Sequence, residues 1–190
     1  MSNATLILID GENLLFRYEA MCRNGRVPRA EVVHSPSKYV WCNHITKLNF
    51  IHVLRVSYYT TFVGDDKAID KICYEISNIR YSFDSDSETH GTGTLNPHVY
   101  KKSKQSTKTK SVDINLSIDA LRHTYNRTVV NVDIISGDGD YLPLVNEIMR
   151  QGISVGIWAF SDGCHPDLKH VPDDFTCLDN LFFEGGDSDS

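Results

Sequence analysis

The sequence predicts an α/β domain, a three-layer α/β/α sandwich around a mainly parallel central sheet. Three observations predict it. Short apolar runs recur at 5–9, 51–59, 129–135 and 153–159, and stretches of helical periodicity separate them. Strands that alternate with helices pair in parallel through right-handed crossovers, which places helices on both faces of the sheet. The 190 residues, 41% hydrophobic and 23% charged, have the size and composition of one ordinary globular domain. A chain of that length buries roughly 70% of its extended surface and needs no disulfide or metal staple.

The elements follow in order. Residues 5–9 (Thr-Leu-Ile-Leu-Ile) form a buried strand that ends at Asp10-Gly11. Residues 13–22 have helix-forming composition, and Asn24-Gly25 stops them. Ser35-Pro36-Ser37 reads as a second helix start, with Tyr39, Val40, Cys42 and Ile45 on the apolar side. Residues 51–59 are rich in β-branched and aromatic side chains and form a strand. Ile69, Ile72, Cys73 and Ile76 stand at helical spacing, which predicts an amphipathic helix over 65–79. Residues 82–110 turn polar and are expected to be a surface excursion with a hairpin around 95–100. A helix over 112–125 and a buried strand over 129–135 come next. The helix at 140–150 carries Pro143 in its first turn, where proline is tolerated. Gly152 closes that helix before 153–159, the last clear strand. The reading is one domain over 1–183 and an acidic disordered tail over 184–190.

Several classes are excluded. No apolar run approaches the ~20 residues of a membrane-spanning helix, and 5–9 is too short and uncharged for a signal peptide. The five cysteines are odd in number, scattered and without a CxxC pair, so the expected setting is reducing and cytoplasmic. Cys164-His165, His170 and Cys177 have zinc-ligand types but no regular zinc spacing. Neither a Walker-A nor a GxGxxG pattern is present, and no nucleophile elbow appears. Net charge is −6, yet residues 101–110 hold five lysines and no acid, which leaves −11 on the other 180 residues. An acidic body with one basic strip suits a metal-dependent site beside a phosphate-binding loop.

The chemistry resides in where the carboxylates fall. Ligands of such sheets bind at the carboxyl ends of the strands. Asp10 ends the first strand, and Asp138 and Asp140 follow Val-Asp-Ile-Ile-Ser136 directly. If those strands are adjacent, three carboxylates converge, and like charges that close call for a cation such as Mg²⁺ or Mn²⁺. Such an ion activates water for in-line attack on a phosphodiester. The plainer reading is that each Asp caps a turn or helix, with Asp140 the cap of the helix it precedes. Asp113 heads the 112–125 helix; Asp119, about 120° further round, cannot share a narrow site with it and is held in reserve. Gly11, Gly137 and Gly139 would let backbone approach a ligand, or serve tight turns. Lys101, Lys102, Lys104, Lys108 and Lys110 could hold a phosphate backbone, or form a solvated loop. Tyr100 and Tyr141 could stack on bases, or pack against the fold.

Three blocks carry a family resemblance: Leu-Ile-Leu-Ile-Asp10-Gly11-Glu12-Asn13, Ser-Val-Asp113-Ile-Asn-Leu-Ser-Ile-Asp119, and Ser136-Gly-Asp138-Gly-Asp140-Tyr-Leu-Pro143. In that order and context the chain resembles the NYN domain, in the LabA-type branch of the PIN-like nucleases. The resemblance implies a PIN-like sheet and an acidic site for Mg²⁺ or Mn²⁺. It implies hydrolysis of RNA, single-stranded above all. Asp10, Asp113, Asp138 and Asp140 match the acidic positions, Asn13 the polar residue after the first Asp, and Ser136 the small hydroxyl after the strand. The long polar stretch 82–110 departs from the pattern. The rival is a catalytically inactive NYN module that binds RNA or a protein partner. A second rival is a different Mg²⁺ enzyme on a similar sheet, a phosphatase or a structure-specific DNA nuclease; an aspartyl-phosphate phosphatase usually has Asp-x-Asp after the first strand, where this chain has Asp10-Gly11-Glu12. The sequence leaves a homodimer open.

Overall fold

The computed structural model describes residues 4–47, 52–85, 89–103 and 110–185. In β1 (Ala4–Asp10) every residue is buried, as expected of a parallel strand covered on both faces. Side chains alternate along it. Ile7 and Ile9 point to one face, and Leu6 and Leu8 to the other. A one-residue slip would exchange the two sets, so register is strongly specified. Next come α1 (Gly11–Arg23), β2 (Val32–Ser35), β3 (Tyr39–Cys42), α2 (His44–Lys47) and β4 (His52–Phe62). They are followed by α3 (Asp66–Ser77), β5 (Arg80–Ser85), β6 (Thr89–Thr94), β7 (Asn96–Lys101), α4 (Ser111–Tyr125) and β8 (Asn131–Ile135). A 3-10 turn (Gly139–Tyr141) leads into α5 (Leu142–Arg150), then β9 (Ser154–Ala159), β10 (Asp174–Cys177) and α6 (Asp179–Phe182).

Six strands form the main sheet in the order β10-β9-β8-β1-β4-β7, and every adjacent pair is parallel. The chain winds outward from β1 through β4 to β7. It then returns to the other side of β1 and winds through β8, β9 and β10. This is a doubly wound sheet, and the winding reverses between β1 and β8. Loops leaving these two strands run to opposite faces and open a crevice between them. Leu14, Tyr18 and Met21 of α1 pack with Ile7, Ile9, Val40, Trp41 and Ile72 in one core. Leu116 and Ala120 of α4 and Val145 and Ile148 of α5 pack with Leu6 and Leu8 in the other. Each fully buried aliphatic side chain contributes roughly 1.5–3 kcal/mol, so the two cores account for the three layers.

Three local expectations are corrected. Residues 35–45 are not a helix: β2 and β3 form an antiparallel hairpin, because Tyr39, Val40 and Trp41 suit a pleat better than a helix face. The polar excursion holds a hairpin, but it is β5 with β6; residues 95–100 fall largely in β7, the parallel edge strand beside β4. Pro97 is tolerated there because an edge strand has one unpaired side. The aromatic rings of Tyr81 and Phe83 lie over Gly93 and Gly91, their cross-strand partners in β5–β6. A further strand, β10, follows 153–159 and pairs with β9. Among the described residues no helix is long and apolar enough to cross a membrane. Residues 186–190 of the expected tail lie outside the described residues.

Candidate active site

The crevice at the β1/β8 switch point is built around Asp10. Its backbone ends β1, and its side chain caps α1 by accepting the Asn13 N–H at 3.0 Å. Gly11 is required immediately after it. A Cβ there would collide with the Tyr58 ring and stand 2.8 Å from the Tyr59 carbonyl oxygen. The close seating of α1 on β4 buries Asp10 to 4% exposure. Its Oδ2 accepts from Ser136 Oγ at 3.1 Å and from Tyr141 OH at 3.4 Å. Burial raises its pKa to about 7, against the lowering effect of the Asn13 N–H, and the charge of Asp113 pushes the same way as burial.

Asp113 lies in the first turn of α4 and accepts from Tyr141 OH at 3.2 Å. That phenol therefore stands between two carboxylates. Burial and both neighbouring charges push its pKa far above the ordinary range, so it remains a donor. Asp138 follows β8. Its N–H donates to Ser136 Oγ at 3.2 Å, and its Oδ1 accepts the Asp140 N–H at 3.0 Å. Asn13 fixes this loop from α1 by accepting the Gly137 N–H at 3.1 Å. Asp10, Asp113 and Asp138 line one cleft of about 880 Å³.

Asp140, Asp119, Lys101 and Lys110 stand off the cleft wall, and Tyr141 presents only its hydroxyl to the carboxylates. Asp140 is exposed and off the cleft wall, and the cap at this turn is Asp138, not Asp140. Asp119 accepts from Tyr59 OH at 2.7 Å and from Arg122 at 2.8 Å and does not line the cleft. Tyr141 is 2% exposed, so its ring is closed to bases and only its hydroxyl faces the carboxylates. Tyr100 is half-buried against the sheet. Lys102 lines the cleft with its side chain 13% exposed, and its Nζ is 3.2 Å from Glu12 Oε1. Lys101 is turned to Asp66 at 2.8 Å, and Lys110 heads α4, off the cleft wall. Lys104 and Lys108 lie outside the described residues. The glycines admit protein, not ligand: a Cβ on Gly139 would meet the His165 ring at 2.6 Å, and one on Gly137 the Cys164 Cα at 3.1 Å.

Sequence reading missed much of the cleft wall, Glu12 and Phe16 included. Glu12, in the first turn of α1, accepts from Thr61 Oγ1 as well as from Lys102. Phe16, 59% exposed, lies on the same wall. A signal for Phe16 was present: it is two residues, hence about 200°, from Leu14 and out of phase with the buried Leu14, Tyr18 and Met21.

Among the described residues no three His, Cys, Asp or Glu side chains are close enough to share one ion directly. A Mg²⁺ ion fits such a site nonetheless, because it is commonly held by one or two carboxylates and keeps several waters. The donor set is all hard oxygen, and burying Asp10 beside Asp113 leaves a negative charge that a cation relieves.

A doubly wound parallel sheet with an acidic cleft at its switch point is the scaffold so defined. The chain belongs to the NYN domain family, whose model matches residues 4–179. The family is nuclease-related, within the PIN-like superfamily, and its nucleases typically use divalent metals. No curated protein matches the chain. A crystal structure of a protein of unknown function from Vibrio parahaemolyticus is similar in fold, with a TM-score of 0.59, 17% identity and 96% of each chain covered.

Proposed function

We propose that this NYN domain, of the LabA type by its motifs, is a Mg²⁺- or Mn²⁺-dependent ribonuclease that hydrolyses phosphodiesters of single-stranded RNA. The observation that carries the reading is a buried Asp10, its pKa raised to about 7, in one cleft with Asp113 and Asp138 at the switch point of the sheet. When bound, the metal supplies charge compensation at the phosphate and an acidified water. Asp10, Asp113 and Asp138 would hold it, directly or through water. Ser136 and Tyr141 fix the orientation of the Asp10 carboxylate, and Asn13 ties the Asp138 loop to α1. Lys102 is a cleft cation that can turn from Glu12 to a phosphate oxygen.

The test is cleavage of labelled single-stranded RNA and DNA in Mg²⁺, Mn²⁺ or EDTA. RNA cleavage that requires metal and falls at least about 100-fold in Asp10→Asn and Asp113→Asn is expected, the scale at which removing one charge-stabilising group acts. Binding without cleavage in any metal would make the domain a non-catalytic RNA-binding module. Undiminished cleavage by both variants would remove the acidic cleft as the site.

A further inference from the structure

The cleft has two unlike halves. One is the acidic end at Asp10, Asp113 and Asp138; the other is walled by Leu15, Phe16, Pro36, Phe62 and Val63. Phe16 is 59% exposed and Val63 43%, and both face the same cleft. Single exposed apolar residues are ordinary, but a group lining one wall of a cleft marks a binding surface. The wall is held in place. Glu19 Oε1 accepts the Ser37 N–H at 2.7 Å, pinning the β2–β3 turn against α1. The Arg17 guanidinium lies over the Phe16 ring, 5.5 Å from its centroid, and backs it. From Asp10 to Phe16 is six residues, about 9 Å along the helix axis, which places the ring about a nucleotide's reach from the carboxylates.

We propose that this apolar half is a base-stacking shelf, in which Phe16 receives an unpaired base of a single-stranded nucleic acid whose phosphate lies at the acidic half. A nucleotide is the ligand that joins a flat apolar face to a phosphate at this separation, and Lys102 and Lys38 supply the cleft with cations. Stacking on an aromatic ring tolerates any base, so the shelf selects for single strands rather than for sequence. A duplex keeps its base faces covered and cannot use it. The inference rests on the nuclease reading for the position of the phosphate, but it is tested by binding.

The measurement is fluorescence anisotropy of a labelled single-stranded oligoribonucleotide in Mg²⁺, with the intact chain carrying Asp10→Asn so that turnover does not intervene. Adding Phe16→Ala weakens binding about 5- to 100-fold, and adding Phe16→Trp preserves it. Moving one abasic sugar along the oligonucleotide identifies a single position at which the proteins with and without Phe16→Ala bind alike. The same sequence as a duplex shows no dependence on residue 16. Because Phe16 is exposed, Phe16→Ala is expected to melt with the parent. Equal affinity of the proteins with and without Phe16→Ala for every single-stranded probe overturns the shelf and leaves the nuclease reading intact. Conversely, RNA cleavage undiminished by Asp10→Asn removes the acidic site, while a Phe16-dependent affinity keeps the shelf.

Discussion

Asp10 holds two incompatible roles. As a cap and hydrogen-bond acceptor it organises the start of α1, while as a buried carboxylate beside Asp113 it is destabilising whenever it is charged without a cation. Its pKa rises from 3.8 to about 7 on folding. Well below pH 3.8 the group is protonated in both folded and unfolded chains and adds no penalty. As pH climbs from about 4 to about 7 the unfolded chain loses its proton first, so stability falls, and above 7 the loss is complete. The full shift corresponds to at most ~4 kcal/mol. Asn at this position keeps the cap and can meet Ser136 and Tyr141, whose hydroxyls also accept. In EDTA, Asp10→Asn should therefore melt with the parent well below pH 3.8 and above it at about pH 8, by several degrees. A difference that does not vary with pH would show that Asp10 is not the buried acid described. Excess Mg²⁺ should narrow the gap at pH 8 by stabilising the parent more than the variant.

At the scale of elements, local signals were legible where one strand or helix faces one core. The alternation in β1, the phase of Ile72 and Ile76 in α3, and Pro143 in the first turn of α5 each report a local constraint. Partner choice was less legible. Residues 96–101 contain Pro97 and look like turn-bounded hairpin material, yet they pair with β4 across about 40 positions, and nothing in the local pattern encodes that separation. Ser35-Pro36 imitates a helix start because the same residues also make tight turns, and only the pairing of Val33 with Trp41 decides between them. The site divides in the same way. Asp10 and Asp138 were legible from the strands they end, whereas Asp140 was misplaced because one N–H bond decides which Asp caps the turn. The α1–β4 contact is the tightest of these element-level constraints. Gly11→Ala would drive a methyl into Tyr58 and the Tyr59 carbonyl, neither of which can swing away. The expected cost is about 1–3 kcal/mol, a lower denaturant midpoint at unchanged slope. Weaker metal binding should accompany it, since displacing α1 displaces the Asp10 cap. An unchanged midpoint would mean that α1 shifts freely on the sheet.

Across the whole molecule, the charge distribution sets a condition on ligand binding. The chain carries −6 overall, and its cleft gathers Asp10, Glu12, Glu19, Asp113 and Asp138 against Lys38 and Lys102. Both cleft lysines face carboxylates already, Lys102 at Glu12 and Lys38 at Glu75. A polyanion approaching the metal-free cleft therefore meets net repulsion as well as the cost of parting those ion pairs. Monovalent salt screens attraction and repulsion alike, but a divalent cation seated among the carboxylates reverses the sign of the local field. Affinity for single-stranded RNA should accordingly rise at least several-fold on adding millimolar Mg²⁺ at constant ionic strength, a direction opposite to simple counterion competition at phosphates. The parent's gain should shrink in Asp113→Asn, which removes one carboxylate from the cleft. Anisotropy titrations at fixed ionic strength, with and without Mg²⁺, measure it directly. If Mg²⁺ weakened binding as an equal ionic strength of KCl does, the RNA would be held by the lysine strip alone and the acidic cleft would play no part in recognition.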